Sequence, residues 1–324
     1  MSAESESREE GAAELEPAPA SRKKRSAIRN RLEHLAFSIG SGALRALPGG
    51  AASAAGRGLA GLYFAVARSR ARILRKNLAA AFPERTPAEI EWTARECVAN
   101  FGNTLVDFLD TPRLRREDLL RSVTLDGEEN FEQARRRGKG VFLLSAHFGS
   151  WELGALRAGL IGDPISPVVR PLDNPLLEAE LTRRRTHFGN SIIAKHDAAR
   201  EILRAIRQNR TVAILIDQNV IIEEAIFVPF FGRPAATTPS LALLQLKTGA
   251  AVVPVFTWPE GGGRYRLRFE PPIFAEEFEK LSPNRSERVH AATARYMAVT
   301  EAVIRQKPAA WFWMHNRWRT RPGD

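Results

Sequence analysis

From about residue 122 the sequence alternates short apolar runs with longer segments of helical period, and that alternation narrows the fold to one class. Residues 122–126, 141–146, 165–170, 191–194 and 211–216 read as strands, and residues 128–137, 150–160, 174–186 and 197–208 between them read as helices. A helix at 239–248, strands at 251–258 and 264–270, and a closing helix at about 285–306 complete the pattern. Uninterrupted apolar strands separated by helices are covered on both faces. The expected fold is therefore α/β, a mostly parallel or mixed central sheet flanked by helices. Gly261-Gly262-Gly263 marks a turn and not a phosphate loop, because no helix follows it.

The first third reads differently. Residues 64–82 and 87–109 carry helical period, with Thr86 as N-cap, Pro87 in the first turn and Glu89 close behind. Residues 35–67 come nearest to a membrane span, but Arg45, Pro48-Gly49-Gly50 and Arg57 interrupt them. No uncharged run there approaches the roughly 18–20 residues that a span needs. Two amphipathic helices lying on a bilayer fit this stretch, and so do helices packed on the rest of the chain. Residues 1–21 are rich in Glu, Ser, Ala and Pro without apolar period and read as disordered. Arg22-Lys23-Lys24-Arg25 follows as either a solvated face or an anionic-lipid anchor, and Arg68, Arg70, Arg72, Arg75 and Lys76 repeat the choice. The expected organisation is a disordered acidic tail (1–21), a helical N-terminal membrane-associating region (22–110) and an α/β catalytic domain (111–324).

Charge points to the class of partner. The chain carries 48 Lys+Arg against 37 Asp+Glu, a net +11. This favours a phospholipid surface, a phosphorylated lipid, nucleic acid or an acidic carrier protein. Cys97 is the single cysteine, which excludes an internal disulfide and a Cys-rich metal site; a small packed residue is the simpler reading. His147, His187, His196 and His315 lack ligand spacing with one another, so no metal is expected.

The chemistry concentrates where strands end. His147 leaves the apolar run 141–146 just before a helix, and Glu152 stands five residues on. A carboxylate that accepts one imidazole N–H leaves the other ring nitrogen free to take a proton from a hydroxyl. Arg170 ends the strand 165–170, where ligands of α/β sheets collect, and a guanidinium there can clamp a phosphate or sit in a surface ion pair. Asp217 and Gln218 leave the strand 211–216 in the same way. Phe230 and Phe231 stand side by side in a Pro/Gly loop, suited to lining a groove for an acyl chain or to covering a sheet edge. The end of the chain, Trp311-Phe312-Trp313-Met314-His315-Asn316-Arg317-Trp318, interleaves aromatic and basic residues. That suits base stacking and a membrane interface equally.

Together these segments resemble the lysophospholipid acyltransferase-like superfamily. The likeness is to its late lipid A (lauroyl and myristoyl) acyltransferase group and the related phosphatidylinositol mannoside acyltransferase. It is carried by His147-x4-Glu152, Arg170-Pro171 with Asp173-Asn174-Pro175, and Asp217-Gln218-Asn219. Val228-Pro229-Phe230-Phe231-Gly232 and Trp313-Met314-His315-Asn316-Arg317-Trp318 complete it, over roughly residues 28–322. Asn219 stands where the family often has a second acid, and no Phe-Pro-Glu-Gly-type block follows the His motif.

The resemblance implies direct transfer of an acyl group from an acyl carrier protein or CoA thioester to a hydroxyl of a lipid A-type or other anionic glycolipid. His147 would act as base with Glu152, without a cofactor or a covalent acyl-enzyme. Arg170, Asp217, Gln218, Phe230, Phe231 and Arg317 would bind substrate. The place implied is the cytoplasmic face of the inner membrane, peripheral or monotopic. Lysophospholipid acylation, a thioesterase using the same His and Glu on water, and a non-catalytic membrane or nucleic-acid binder are the competing readings.

Overall fold

The computed structural model describes residues 25–162, 164–195 and 198–324. The acidic stretch 1–21, Arg22 to Lys24 of the basic cluster, and His196 lie outside the described residues.

Four helices come first: α1 (Ala27–Ala46), α2 (Gly49–Val66), α3 (Arg68–Ala81) and α4 (Pro87–Asp110). Pro48 separates α1 from α2; Leu47 before it is pushed into extended backbone at φ −81° and ψ 148°. The capping box expected at the head of α4 forms. Glu89 N–H donates to Thr86 Oγ1 at 3.3 Å, and Thr86 N–H donates to Glu89 Oε2 at 2.7 Å. Helices α2 and α4 meet backbone to backbone at two glycines. A Cβ on Gly102 would lie 2.6 Å from the Gly56 carbonyl oxygen, and one on Gly56 would lie 2.9 Å from that of Gly102. Among the described residues no helix is long and apolar enough to cross a membrane. Ile28, Leu32, Leu35 and Ile39 nevertheless form an exposed stripe along α1, and Leu59, Leu62, Tyr63 and Val66 form one on α2.

The rest of the chain builds the sheet. In order come α5 (Arg116–Ser122), β1 (Val123–Asp126), α6 (Glu128–Arg135), β2 (Val141–Ser145), α7 (Trp151–Ala158), β3 (Ser166–Val169), α8 (Pro175–Arg185) and β4 (Ile193–Ala194). Then follow α9 (Ala198–Arg207), β5 (Thr211–Leu215), β6 (Ile226–Phe230), β7 (Arg233–Thr237), α10 (Ser240–Thr248), β8 (Ala251–Gly261), β9 (Arg264–Phe269), α11 (Glu276–Glu279) and α12 (Arg285–Gln306). Seven strands run in the order β1-β9-β8-β2-β5-β3-β4, and every neighbouring pair is parallel except β8–β9. The mixed, mostly parallel sheet flanked by helices is the one the sequence pattern implies. Its central strands are apolar on both faces for the expected reason. Phe142 and Leu144 of β2 pack into one core layer, and Val141 and Leu143 pack into the other.

One element departs from the sequence reading. Residues 226–237 form an antiparallel hairpin, β6–β7, where a loop is expected. Pro229 and Pro234 face each other in its ladder, which a two-stranded ribbon tolerates because both strands are edges. Its two-residue turn, Phe231-Gly232, has positive φ at both positions (51° and 69°), as a type I′ turn demands. That turn also decides the fate of the paired phenylalanines. Phe230 and Phe231 both enter the core, packed on Phe82, Trp311 and Trp313, so they do not line a groove.

Candidate active site

Strand register assembles the site. β2 and β5 are parallel neighbours, aligned from Val141↔Thr211 to Ser145↔Leu215. Two residues beyond each strand end, the same alignment sets His147 opposite Asp217. His147 Nδ1 lies 2.9 Å from Asp217 Oδ1, and the His147 backbone N–H donates to Asp217 Oδ2 at 2.9 Å. The Trp311 indole N–H donates to the same Oδ2 at 2.8 Å. A buried carboxylate accepting three N–H groups stays ionised. Burial works against its charge, but His147 and Trp311 outweigh burial and hold Asp217 below the ordinary carboxylate range. With the proton of the neutral ring on Nδ1, Nε2 is the basic nitrogen. It accepts the Gln218 side-chain amide N–H at 3.3 Å.

The imidazole is partly open, 24% exposed, whereas Asp217 is 1% exposed. Burial disfavours the imidazolium. The charge and hydrogen bond of Asp217, with the charge of Glu152, reverse that effect and raise the His147 pKa above 6.5. The ring is therefore a base whose protonated form is stabilised in place. Trp151 and Phe312 enclose it, with ring centroids 5.1 and 6.3 Å away.

The turn that carries His147 is held from two sides. Gly149 has φ +57°, and a Cβ there would fall 1.8 Å from the Thr257 carbonyl oxygen, so the turn requires glycine. The C-terminal segment runs alongside it: Phe312 N–H donates to the His147 carbonyl and Gly149 N–H to the Ala310 carbonyl, both at 2.9 Å. Thr104 Oγ1 of α4 donates to the Gly149 carbonyl at 3.1 Å.

Several expected roles change place. Glu152 does not accept from the imidazole. It lies in the first turn of α7 and pairs with Arg185 of α8, whose Nη2 and Nε reach its carboxylate at 2.7 and 3.1 Å. Asp217, reached by strand pairing, takes the orienting position and is too buried to touch substrate. Arg317 is fully buried. It donates to the Ala236 carbonyl and Thr237 Oγ1, both at 2.6 Å, and lies over the Phe230 ring, so it braces the hairpin instead of meeting a substrate. Arg170 follows β3, the neighbour of β5, and is exposed. Among the described residues its side chain has no ion pair or hydrogen bond. Trp311 stands in the aromatic segment at the chain end, but no sequence spacing links it to Asp217, and nothing in the sequence singles out Arg185.

The chain matches, over residues 21–320, the family described as "Bacterial lipid A biosynthesis acyltransferase". It is similar to the lipid A biosynthesis lauroyltransferase of Escherichia coli (strain K12), 29% identical over 82% of this chain and 85% of that one. It is likewise similar to the lipid A biosynthesis palmitoleoyltransferase of the same strain, 29% identical over 79% and 80%. A phosphatidylinositol mannoside acyltransferase of Mycobacterium tuberculosis is 25% identical over 59% and 62%.

A second histidine gives the site a pH limit. His315 Nε2 accepts the Asn219 backbone N–H at 2.7 Å, so it must be neutral there. Burial, with help from Arg317, lowers its pKa from 6.5 to about 4. Between those values the unfolded chain binds the proton and the native chain does not, so this group's contribution is complete above pH 6.5 and is lost as pH falls toward 4. Chemical denaturation of wild type and His315→Gln at stepped pH should show the wild type losing more stability over this window. Parallel losses would contradict the assignment.

Proposed function

We propose a specific chemistry for this chain, which belongs to the bacterial lipid A biosynthesis acyltransferase family. It transfers a fatty acyl group from a carrier-protein or CoA thioester to a hydroxyl of a lipid A-type acceptor, with His147 as the general base. The observation that carries the reading is the imidazole itself: Nδ1 is committed to a buried carboxylate, while Nε2 keeps its lone pair in a partly open site, where the Gln218 amide N–H donates to it at 3.3 Å and an acceptor hydroxyl takes that amide's place. Nε2 takes the proton of the acceptor hydroxyl as its oxygen attacks the thioester carbonyl carbon. The tetrahedral intermediate collapses, the C–S bond breaks, and the leaving thiolate takes the proton from the imidazolium. Asp217 keeps Nδ1–H throughout and stabilises the transient cation. Glu152, fixed by Arg185, acts on the ring through its charge alone. Arg170, exposed and unpaired at the end of β3, is placed to hold a phosphate of the acceptor or donor.

The exposed stripes of α1 and α2 support docking on an anionic bilayer without crossing it. Apolar residues on these helices are flanked by exposed Arg29, Arg31, Arg57, Arg68, Arg70 and Arg72, a combination that favours the headgroup region of a membrane. We place the protein on the cytoplasmic face of the inner membrane.

His147→Ala should lower acyl transfer by about 10²- to 10⁴-fold in the folded protein, and its melting temperature should fall because buried Asp217 loses the ring N–H. Asp217→Asn should fall in the same range, and Glu152→Gln should fall less. A folded His147→Ala enzyme with near-normal turnover refutes the base assignment, and release of free fatty acid in place of acylated lipid points to a thioesterase. For the docking face, Leu32→Glu with Leu62→Glu should weaken binding to phosphatidylglycerol vesicles, and salt should release part of the wild-type protein. Equal vesicle binding by the double variant contradicts this face.

A further inference from the structure

The aromatic residues divide into two groups. Phe230, Trp311 and Trp313 are sealed in the core, whereas Trp151, Phe312 and Phe101 keep part of their surface open. The open rings form a continuous line that starts at the catalytic imidazole. Trp151 lies 5.1 Å from His147; Phe312 lies 6.5 Å from Trp151 and 6.3 Å from His147; and Phe101 lies 5.4 Å from Phe312. Leu105, 42% exposed, stands one helical turn after Phe101 on the same face of α4. From Phe101 the contacts pass to Phe64 at 6.5 Å and then to Tyr63 at 5.1 Å, inside the exposed stripe of α2. The Gly56–Gly102 contact holds α2 against α4 and keeps Phe64 on Phe101.

We propose that this rail of Trp151, Phe312, Phe101 and Leu105 is the track for the fatty acyl chain of the donor thioester, and that its far end selects chain length. The inference rests on the acyl-transfer reading and adds where the chain lies. The reacting carbonyl must sit within reach of a hydroxyl bound at Nε2, so the first methylenes of the acyl chain have to lie beside the rings that touch the imidazole. Those rings are the start of the rail. A hydroxyl of a sugar acceptor arrives with polar neighbours, which Gln218 and Arg170 suit better than aromatic faces. Rings left partly open bury their remaining apolar surface when an alkyl chain covers them, a gain of roughly 25 cal/mol per Å². A chain longer than the rail leaves it at Tyr63 and Leu105.

The test measures initial rates for a saturated thioester series, decanoyl to stearoyl, at fixed acceptor, and for varied acceptor at fixed donor. The enzymes are wild type, Leu105→Trp and Phe101→Ala. Leu105 is exposed, so its tryptophan variant keeps the fold even if removal of the Phe101 ring does not. Leu105→Trp should move the preferred donor toward shorter chains and raise KM for the longest by about tenfold relative to the shortest. Phe101→Ala should flatten the dependence on donor length. Neither should change KM for the acceptor. An unchanged donor profile in a transferring Leu105→Trp enzyme overturns the rail. A change in acceptor KM alone also overturns it, because the rail then holds the acceptor's own acyl chains. No transfer by wild type from any donor overturns the acyl-transfer reading, and the rail with it.

Discussion

The structure around the site depends on one buried carboxylate. Asp217 is almost wholly removed from solvent, and an isolated charge there would cost several kcal/mol. Three N–H groups offset that cost, and they come from two other parts of the chain: the backbone and ring of His147 after β2, and the indole of Trp311 near the C-terminus. Satisfying the carboxylate therefore fixes the mouths of two strands and the C-terminal segment relative to one another. It also fixes the tautomer of His147, and with it the nitrogen that faces the site.

The N-terminal helices serve the same end from outside the sheet. Asn77 of α3 donates to the Trp313 and His315 carbonyls at 2.9 and 2.7 Å, and Asn100 of α4 donates to the Ala309 carbonyl at 3.0 Å. With Thr104 on Gly149, these bonds tie the C-terminal segment and the histidine turn to helices whose neighbours carry the exposed apolar stripes. The surface proposed to meet lipid and the base proposed to act on it are thus parts of one packed unit. Partly open aromatic rings beside the surface proposed to meet lipid suit a substrate that is part alkyl chain and part charged headgroup.

The sheet was legible in the sequence because its signals are local. Apolar runs, the Thr86-Pro87-Glu89 start and the Pro48 break all act within a few residues, and each appears where the pattern sets it. His147 at a strand mouth was legible for the same reason. Its partner was not. Glu152 is near in sequence, but the first turn of α7 directs it to Arg185, and Asp217 meets His147 only through the pairing of β2 with β5. Strand order is a long-range property that periodicity does not encode. The hairpin at 226–237 was hidden by its prolines, and the burial of Phe231 by a left-handed backbone that a phenylalanine seldom adopts. Arg317 is expected to bind substrate through the resemblance alone, and no local signal marks it as buried. Here the carbonyl of Ala236 and the hydroxyl of Thr237 absorb it.

The account turns on Asp217 being the partner that sets the state of His147. The most direct measurement is an NMR titration of the His147 ring, with ¹⁵N shifts to report the tautomer, in wild type, Asp217→Asn and Glu152→Gln. The account predicts a neutral ring protonated on Nδ1, with a pKa above 6.5 in the wild type. It predicts a clear decrease in Asp217→Asn, where only the charge of Glu152 still opposes burial, and a smaller decrease in Glu152→Gln. A ring protonated on Nε2, or a pKa that falls further with Glu152→Gln than with Asp217→Asn, would contradict it.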